Sequence, residues 1–359
     1  MRITGCETFP ISLPFRAPYI TANGTIGSRE MAVLRISAEG GMVGYGDAVP
    51  MSLRGGPGLD RVLADLDRAA AGTLAGAGLE GDADVRTLLA ACADRDISSA
   101  ALAAIDVALL DLLGRATGLP AWQILGAGRV APVECNGTLG GGEPDAVAAD
   151  AAELAGRGFR ALKIKVGIGD DRGRVAAVRA AVGPDVALRV DANGAWSIAQ
   201  AREELRGLAA SAQLELAEQP CSSLEEMAEL RALSDVAIVA DESVATADDA
   251  TRAVAIGACD AATLKLAKVG GPHAALTIAG AIPAYLSSAL DSAIGIAAAA
   301  HTALALPTTG LAHGLATSSL FADDVVAGGR FGGPRLDPGS SPGLGVDVDP
   351  AALERLAIR

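Results

Sequence analysis

The sequence predicts an α/β fold in which a parallel β/α barrel follows a smaller α+β domain. The chain has 359 residues, 50% of them apolar, so it can bury a large core and form more than one domain. After residue 129, eight strand-like segments alternate at nearly even spacing with helical segments rich in Ala, Arg and Glu. This alternation favours a barrel of the (β/α)8 kind over a doubly wound sheet. Before residue 129, strand-like and helical segments are grouped, which is typical of an α+β domain.

The N-terminal domain is predicted to span residues 1–126. Three strands are expected, at residues 6–13, 31–38 and 41–47. The last two are joined by a tight Glu39-Gly40 turn and should form an antiparallel hairpin. Four helices are expected, at residues 60–74, 82–93, 98–117 and 120–125. Two segments that contain Gly, Pro and polar residues, 16–29 and 50–58, are predicted to be mobile loops.

The barrel domain is predicted to span residues 127–322. Its strands are expected at residues 132–137, 161–166, 187–191, 214–218, 236–241, 261–266, 284–288 and 309–313. Its helices are expected at residues 145–157, 171–182, 197–210, 223–234, 247–256, 271–281 and 294–306. The tail, residues 323–359, is rich in Gly and Pro and then weakly helical, and it is predicted to pack back on the N-terminal domain.

The net charge of the chain indicates which classes of binding partner are disfavoured. The formal net charge is −14 and the isoelectric point is about 4.7, which disfavours nucleic acids and anionic membranes. Five cysteines without a C-x-x-C pair are typical of a reducing cytosol. No signal peptide is expected, and the longest uncharged run, residues 292–322, has an apolar part too short to span a bilayer. We therefore expect a soluble, cytoplasmic protein that acts on a small molecule.

Ionisable residues end the central strands of the predicted barrel. Barrel enzymes carry their chemistry at the carboxyl ends of the strands, so groups one β/α unit apart should meet at one mouth. The residues that end strands two to six are Lys163 and Lys165, Asp191, Glu218, Asp241, and Lys265. A lone K-x-K is more often a solvated edge strand, and a lone acid is more often a helix cap or surface charge. The prediction of an active site therefore depends on all six strand-end residues taken together.

Three carboxylates at one mouth would repel each other unless a cation neutralises them. Oxygen donors suit Mg²⁺, with Mn²⁺ as a substitute, and the three histidines of the chain lack zinc spacing and are predicted to pack in the core. A metal holding a carboxylate substrate stabilises the charge left when the α-proton is removed. Lys165 and Lys265 would face each other across the ion with lowered pKa values, which lets one of them act as a base.

The chain resembles the enolase superfamily, in its muconate-lactonising subgroup. The resemblance covers nearly the whole chain and is carried by K-I-K at 163–165, V-D-A-N-G-A-W at 190–196, E-Q-P at 218–220, A-D-E-S at 240–243 and L-K-L-A-K-V-G-G at 264–271. It implies an N-terminal capping domain joined to a modified (β/α)7β barrel of the TIM type. It also implies a homo-oligomer, and it makes the segments 16–29 and 50–58 the two loops that close over the substrate.

The same resemblance implies roles for the six strand-end residues. Mg²⁺ would bind Asp191, Glu218 and Asp241, and the enolate would lie between Lys165 and Lys265. Lys163 would bind the substrate carboxylate and help to lower the pKa of Lys165.

The substrate has to be predicted from the last strands of the barrel. The runs at 287–295, 312–317 and 321–325 resemble o-succinylbenzoate synthases, lyases that dehydrate a cyclohexadiene carboxylate in menaquinone biosynthesis. Dipeptide epimerases of the subgroup carry a D-x-D pair where Gly314 and Ala316 stand here. Muconate cycloisomerase, N-acylamino-acid racemase and dipeptide epimerase are the alternatives. A binding or scaffold protein without catalysis is disfavoured, because buried lysines are costly to keep.

Overall fold

The computed structural model describes residues 1–21, 24–52, 55–326 and 331–358. Its N-terminal sheet is antiparallel, with strand order β1-β2-β3, and consists of β1 Ile3–Thr21, β2 Gly24–Ala38 and β3 Val43–Ala48. The three predicted strands therefore exist, and β1 and β2 are longer than predicted. A short 3-10 turn at Glu39–Gly41 joins β2 to β3, as the Glu39-Gly40 signal predicted.

The prediction of a loop at residues 16–29 is wrong for the part of this segment that the structure describes. β1 continues past Pro14 after a register shift, and Tyr19 pairs with Ile26 and Ile20 with Thr25 in β2. Proline and glycine signals are local, whereas β-branched residues on both sides favour the ladder once the strands are brought together. Residues 22 and 23 lie outside the described residues. The segment 50–58 is irregular as predicted, and its residues 53 and 54 are likewise outside the description.

The predicted N-terminal helices are confirmed: α1 Leu59–Ala69 with a π turn at Ala70–Leu74, α2 Asp82–Ala93, α3 Ser99–Thr117 and α4 Ala121–Ile124. Helix α3 is apolar almost all round and packs on the sheet, with its end set by Gly118 at φ 74°. The contact is close because β3 presents glycines: a Cβ on Gly46 would lie 2.1 Å from Ala104 O, and one on Gly44 2.2 Å from Ala108 O. Only glycine permits this approach of helix and sheet.

The alternating half of the chain forms the predicted parallel sheet. After β4 Val133–Glu134, the described residues contribute seven parallel strands whose spatial order follows the chain: β5 Gly137–Leu139, β6 Ala161–Lys165, β7 Ala187–Asp191, β8 Leu214–Glu218, β9 Ala237–Ala240, β10 Ala261–Leu264 and β11 Ala284–Leu286. The intervening helices are α5 Pro144–Gly156, α6 Asp171–Val182, α7 Ile198–Ala212, α8 Leu224–Arg231, α9 Ala247–Ile256, α10 Leu266–Val269, α11 Pro272–Ala279 and α12 Ala293–Ala305.

The prediction of an eighth barrel strand is wrong. Residues 309–313, all of them described, form no strand, and single backbone bridges replace it. His313 N donates to Glu134 O and Asn136 N donates to His313 O, both over 2.8 Å. Gly314 N donates to Leu286 O over 2.8 Å. These bonds join the β11 edge to the segment before β5, so the two edges of the curled sheet meet without an eighth ladder.

The first predicted barrel strand, residues 132–137, is also divided. β4 pairs antiparallel with β12 Arg335–Leu336 of the tail, and the parallel ladder begins only at Gly137. The tail continues to α13 Pro350–Arg355 and bonds to β1, with Ser12 N donating to Leu356 O over 2.9 Å. The division of the chain into domains at residue 126 stays a prediction. In the described part of the chain, none of the helices is long and apolar enough to cross a membrane.

Candidate active site

The parallel sheet brings the predicted strand-end residues to one level. Lys165 is the Cα partner of Asp191 in the ladder of β6 and β7, and Asp191 is the partner of Glu218 in the ladder of β7 and β8. Asp241 directly follows β9, and Lys265 directly follows β10. All six predicted residues therefore lie at the carboxyl edge of five neighbouring strands.

One half of the cluster is built around Asp191, which is fully buried. Lys163 Nζ donates to Asp191 Oδ2 and to Glu218 Oε1, each over 2.9 Å. Lys165 Nζ donates to the same Asp191 Oδ2 over 2.7 Å and to Asn193 Oδ1 over 2.6 Å. Asn193 N in turn donates to Asp191 Oδ1 over 3.1 Å. Both carboxylate oxygens of Asp191 are thus held by strand and loop neighbours.

These contacts fix the charges of the buried groups. Burial alone would raise the pKa of Asp191, but the ammoniums of Lys163 and Lys165 hold that pKa well below its usual range. Burial alone would lower the pKa of Lys163, but the charges of Asp191 and Glu218 raise it well above its ordinary value. Asp191 is therefore a carboxylate and Lys163 an ammonium at neutral pH.

The other half of the cluster is built around Asp241, also fully buried. The ammonium of Lys265 donates to Asp241 Oδ2. Lys268, one helical turn further on, donates to Asp241 Oδ1 over 3.0 Å and to Thr263 O over 2.9 Å. Burial lowers the pKa of Lys268 more than Asp241 raises it.

Lys268 and Asn193 were not predicted as site residues, although Asn193 lies in the motif V-D-A-N-G-A-W and Lys268 in the motif L-K-L-A-K-V-G-G. The available signal was their spacing: Lys268 lies three residues after Lys265 on a helix, which places it on the same side. A third missed residue, Tyr285, lies on β11, and its hydroxyl donates to Glu218 Oε2 over 2.9 Å. Nothing in the sequence around Tyr285 indicated this contact.

The cluster in this structure is neutralised by lysines. Four lysines form ion pairs with the three carboxylates, and among the described residues no three acidic, histidine or cysteine side chains are arranged as a ready-made metal site. The donors are nevertheless three buried carboxylates on adjacent strands, and one cation already bridges two of them. The roles of the six residues in catalysis and metal binding stay predictions.

A cavity of about 430 Å³ lies between the N-terminal hairpin and this cluster. Its lining from the N-terminal part includes Tyr19, Arg29, Pro50, Met51 and Gly55, and its lining from the barrel includes Lys163, Lys165, Asn193, Glu242, Lys265, Ser287, Leu290, Gly314 and Thr317. Arg29 is 6% exposed, and its Nη2 donates to Pro50 O over 2.5 Å. Described residues of both predicted capping segments, 16–29 and 50–58, therefore border the cavity. Those of the segment 16–29 lie on the strands β1 and β2.

Two family models together match most of the chain. The mandelate racemase / muconate lactonizing enzyme N-terminal domain matches residues 4–126, and the enolase C-terminal domain-like model matches residues 146–352. A hydrophobic dipeptide epimerase of Enterococcus faecalis is 36% identical over 96% of this chain and 99% of that protein. An o-succinylbenzoate synthase of Mycobacterium tuberculosis is 47% identical over 51% of this chain and 58% of its own length.

A solved structure extends the comparison to the fold. The dipeptide epimerase from Enterococcus faecalis V583, in complex with Mg and the dipeptide L-Leu-L-Tyr, aligns with a TM-score of 0.90 at 34% identity. The alignment covers 97% of this chain and 100% of that one.

Proposed function

The chain belongs to the mandelate racemase / muconate lactonizing enzyme family of the enolase superfamily, and from that premise we propose that it removes the proton α to a carboxylate in a Mg²⁺-dependent reaction. The observation that supports this most strongly is the pairing of three buried carboxylates with four lysines beside a cavity. Burying this many charges is costly even when they are paired, so their presence at one site favours a functional role over a stabilising one.

Asp191, Glu218 and Asp241 would hold the metal. Their oxygen donors suit a hard divalent ion, and the fully buried set already accepts a cation between Asp191 and Glu218 in the form of Lys163 Nζ. The structurally similar epimerase was solved with Mg. When bound, Mg²⁺ would stabilise the negative charge that develops on the substrate carboxylate after proton loss.

The lysines differ in ways that favour distinct roles. The Lys165 side chain is 20% exposed, against 8% for Lys163, 6% for Lys265 and 9% for Lys268. Lys165 is therefore the lysine best placed to take a proton from a molecule in the cavity. Lys163 has a raised pKa and stays an ammonium, which suits binding of the substrate carboxylate. Lys265 lines the cavity from β10, across the sheet from Lys165.

The cavity favours an anionic substrate without an ammonium group. Among its described lining residues Glu242 is the only acid, and it accepts from Asn193 Nδ2 over 3.1 Å. An aspartate could replace Gly314 only if Ser287 moved, because a Cβ added at position 314 would lie 2.5 Å from Ser287 Oγ. Arg29 adds a cation from the N-terminal hairpin, which suits a substrate with a second carboxylate.

We infer that the reaction is the dehydration of the o-succinylbenzoate precursor. Lys165 would take the α-proton, and the resulting ammonium would return a proton to the departing β-hydroxyl. The C–H and C–O bonds break, a ring double bond forms and water leaves, with no net oxidation or reduction. Lys265 would stay protonated and face the developing aromatic ring through a cation–π contact.

Dipeptide epimerisation is the second candidate, and the full-length similarity to the Enterococcus epimerase favours it. In that reaction one lysine would remove the α-proton and the other would return a proton to the opposite face. Lys165 and Lys265 both line the cavity, so the geometry permits this division.

Steady-state assays of the Mg²⁺-loaded enzyme separate the candidates. We expect kcat/KM for the o-succinylbenzoate precursor to exceed that for hydrophobic dipeptides and for cis,cis-muconate by at least ~100-fold, a difference of about 2.7 kcal/mol in transition-state binding. Values within tenfold of each other, or higher for a dipeptide, would refute the dehydration. Failure of every carboxylate substrate with Mg²⁺ present would refute the whole proposal.

A further inference from the structure

Tyr285 contacts the candidate metal site without a role in the mechanism above. It lies on β11, is 1% exposed, and its hydroxyl donates to Glu218 Oε2 over 2.9 Å. The other oxygen, Oε1, accepts from Lys163 Nζ over 2.9 Å. The two oxygens of Glu218 therefore have different partners, a neutral donor on one and a cation on the other.

The ring of Tyr285 is held firmly. It packs in a small apolar cluster with Leu216, Val239 and Ala261. The guanidinium carbon of Arg189 lies 5.1 Å from the ring centroid, and Arg189 is itself fixed by Glu215 over 2.5 Å. With the ring locked by packing, the hydroxyl has little freedom to leave Glu218.

A phenol is protonated at neutral pH, so the hydroxyl of Tyr285 is the donor in its hydrogen bond to Glu218. A neutral donor leaves the charge of the carboxylate available to a cation. Carboxylates that bind metals are commonly oriented by such a hydrogen bond, and its loss typically costs about 10- to 100-fold in metal affinity or activity.

We propose that Tyr285 is a positioning residue: it engages Glu218 Oε2 so that Oε1 faces the metal site, and it thereby sets the affinity for Mg²⁺. This rests on the proposed function, because it takes Glu218 as a metal ligand. Lys163 Nζ marks the Oε1 side as the position of a cation in this structure.

Calorimetric Mg²⁺ titration of the full chain, without substrate, tests the role of Tyr285. Tyr285→Phe removes only the hydroxyl and is expected to weaken Mg²⁺ binding about 10- to 100-fold. Tyr45→Phe is the matched control, since Tyr45 is another buried tyrosine, placed on β3 with its hydroxyl near Arg35. Its affinity should equal that of the wild type within twofold.

A second variant separates the hydroxyl from the ring. Tyr285→Leu removes both, and because the hydroxyl sets the affinity we expect Tyr285→Phe to show most of the loss, with the two variants agreeing within about threefold. Wild-type Mg²⁺ affinity in Tyr285→Phe, with a loss only in Tyr285→Leu, would show that the ring packing matters and the hydroxyl does not. That result would overturn the role of the Tyr285 hydroxyl and leave the proposed function standing. If the wild type itself binds no Mg²⁺, the proposed function is overturned and this inference with it.

Discussion

Lys165 and Asp191 occupy paired positions on β6 and β7, and the ammonium of Lys165 donates to Asp191 Oδ2 over 2.7 Å. The candidate base is therefore bonded directly to a candidate metal ligand. Asp191 Oδ2 also accepts from Lys163, so the same oxygen joins the group proposed to bind the substrate and the group proposed to deprotonate it. A change at any of the three should alter both binding and proton transfer.

Exchange of the substrate α-hydrogen with deuterated solvent should reveal which lysine is the base. Lys165→Ala should stop exchange, a loss of at least ~100-fold, because general-base catalysis contributes that much or more. Lys265→Ala should slow turnover while exchange continues, because that lysine only stabilises charge in a dehydration. Exchange measured by proton NMR in both variants is the test. Loss of exchange in Lys265→Ala alone would reverse the roles, and loss for one enantiomer in each variant would indicate an epimerase.

Asp191→Asn should weaken Mg²⁺ binding more than the ~100-fold that loss of a supporting hydrogen bond can cost, because it removes a proposed ligand itself. The fold should persist, because Lys163 keeps Glu218 as a partner. Calorimetry measures the affinity, and far-UV circular dichroism monitors the fold. Asp185→Asn is the control, since Asp185 is exposed and lies just before the start of β7, at the end of the strand opposite to Asp191. Unchanged Mg²⁺ affinity in Asp191→Asn would remove this residue from the ligand set.

His273 should make stability depend on pH. Its Nδ1 lies 2.6 Å from Asp106 Oδ1 and its Nε2 2.7 Å from Asp82 Oδ1, which links α11 to α3 and α2. Burial alone would lower the pKa of His273, but these two acids raise it above its ordinary value of about 6.5. Since the folded pKa is the higher one, the stabilisation is complete below the unfolded pKa and is lost as pH rises through the folded pKa.

Urea unfolding from about pH 5.5 to 9 checks this dependence. The difference in unfolding free energy between wild type and His273→Gln should shrink as pH rises above about 6.5. His301→Gln is the control with the opposite sign: burial lowers the pKa of His301 to about 4, so its difference should be flat above 6.5 and change only below it. A difference for His273→Gln that does not vary with pH would contradict the prediction.

Gly46→Ala should destabilise the N-terminal domain by about 1–3 kcal/mol, the usual cost of overpacking. The added Cβ would lie 2.1 Å from Ala104 O, a backbone atom of α3 that cannot rotate away. Gly27→Ala, on β2, is the matched control, since a Cβ there meets no heavy atom of the described residues within 4 Å. Its effect should stay within about 0.5 kcal/mol. Equal unfolding midpoints for the two variants would show that α3 can shift away from β3.

The sequence alone determined the fold class and the positions of the candidate site residues. Strand periodicity decides which face and which end a side chain occupies, and the carboxyl ends of parallel strands share one edge. This is why Lys165, Asp191 and Glu218 could be predicted to meet, although each is separated from the next by a whole β/α unit.

Only the tertiary structure decided which groups touch within that edge. Tyr285 reaches Glu218 across the barrel, and Lys268 reaches back to Asp241, through side-chain directions that depend on packing between strands distant in the chain. The bridges at His313 and Gly314 have the same origin, because their partners Cys135 and Ser287 lie far away in the chain. The pairing in the segment 16–29 joins residues that are close in the chain, such as Tyr19 and Ile26, but it continues a ladder that β1 and β2 form along their whole length. A local signal such as Pro18 reports the preference of a few residues, whereas this ladder depends on the whole pair of strands.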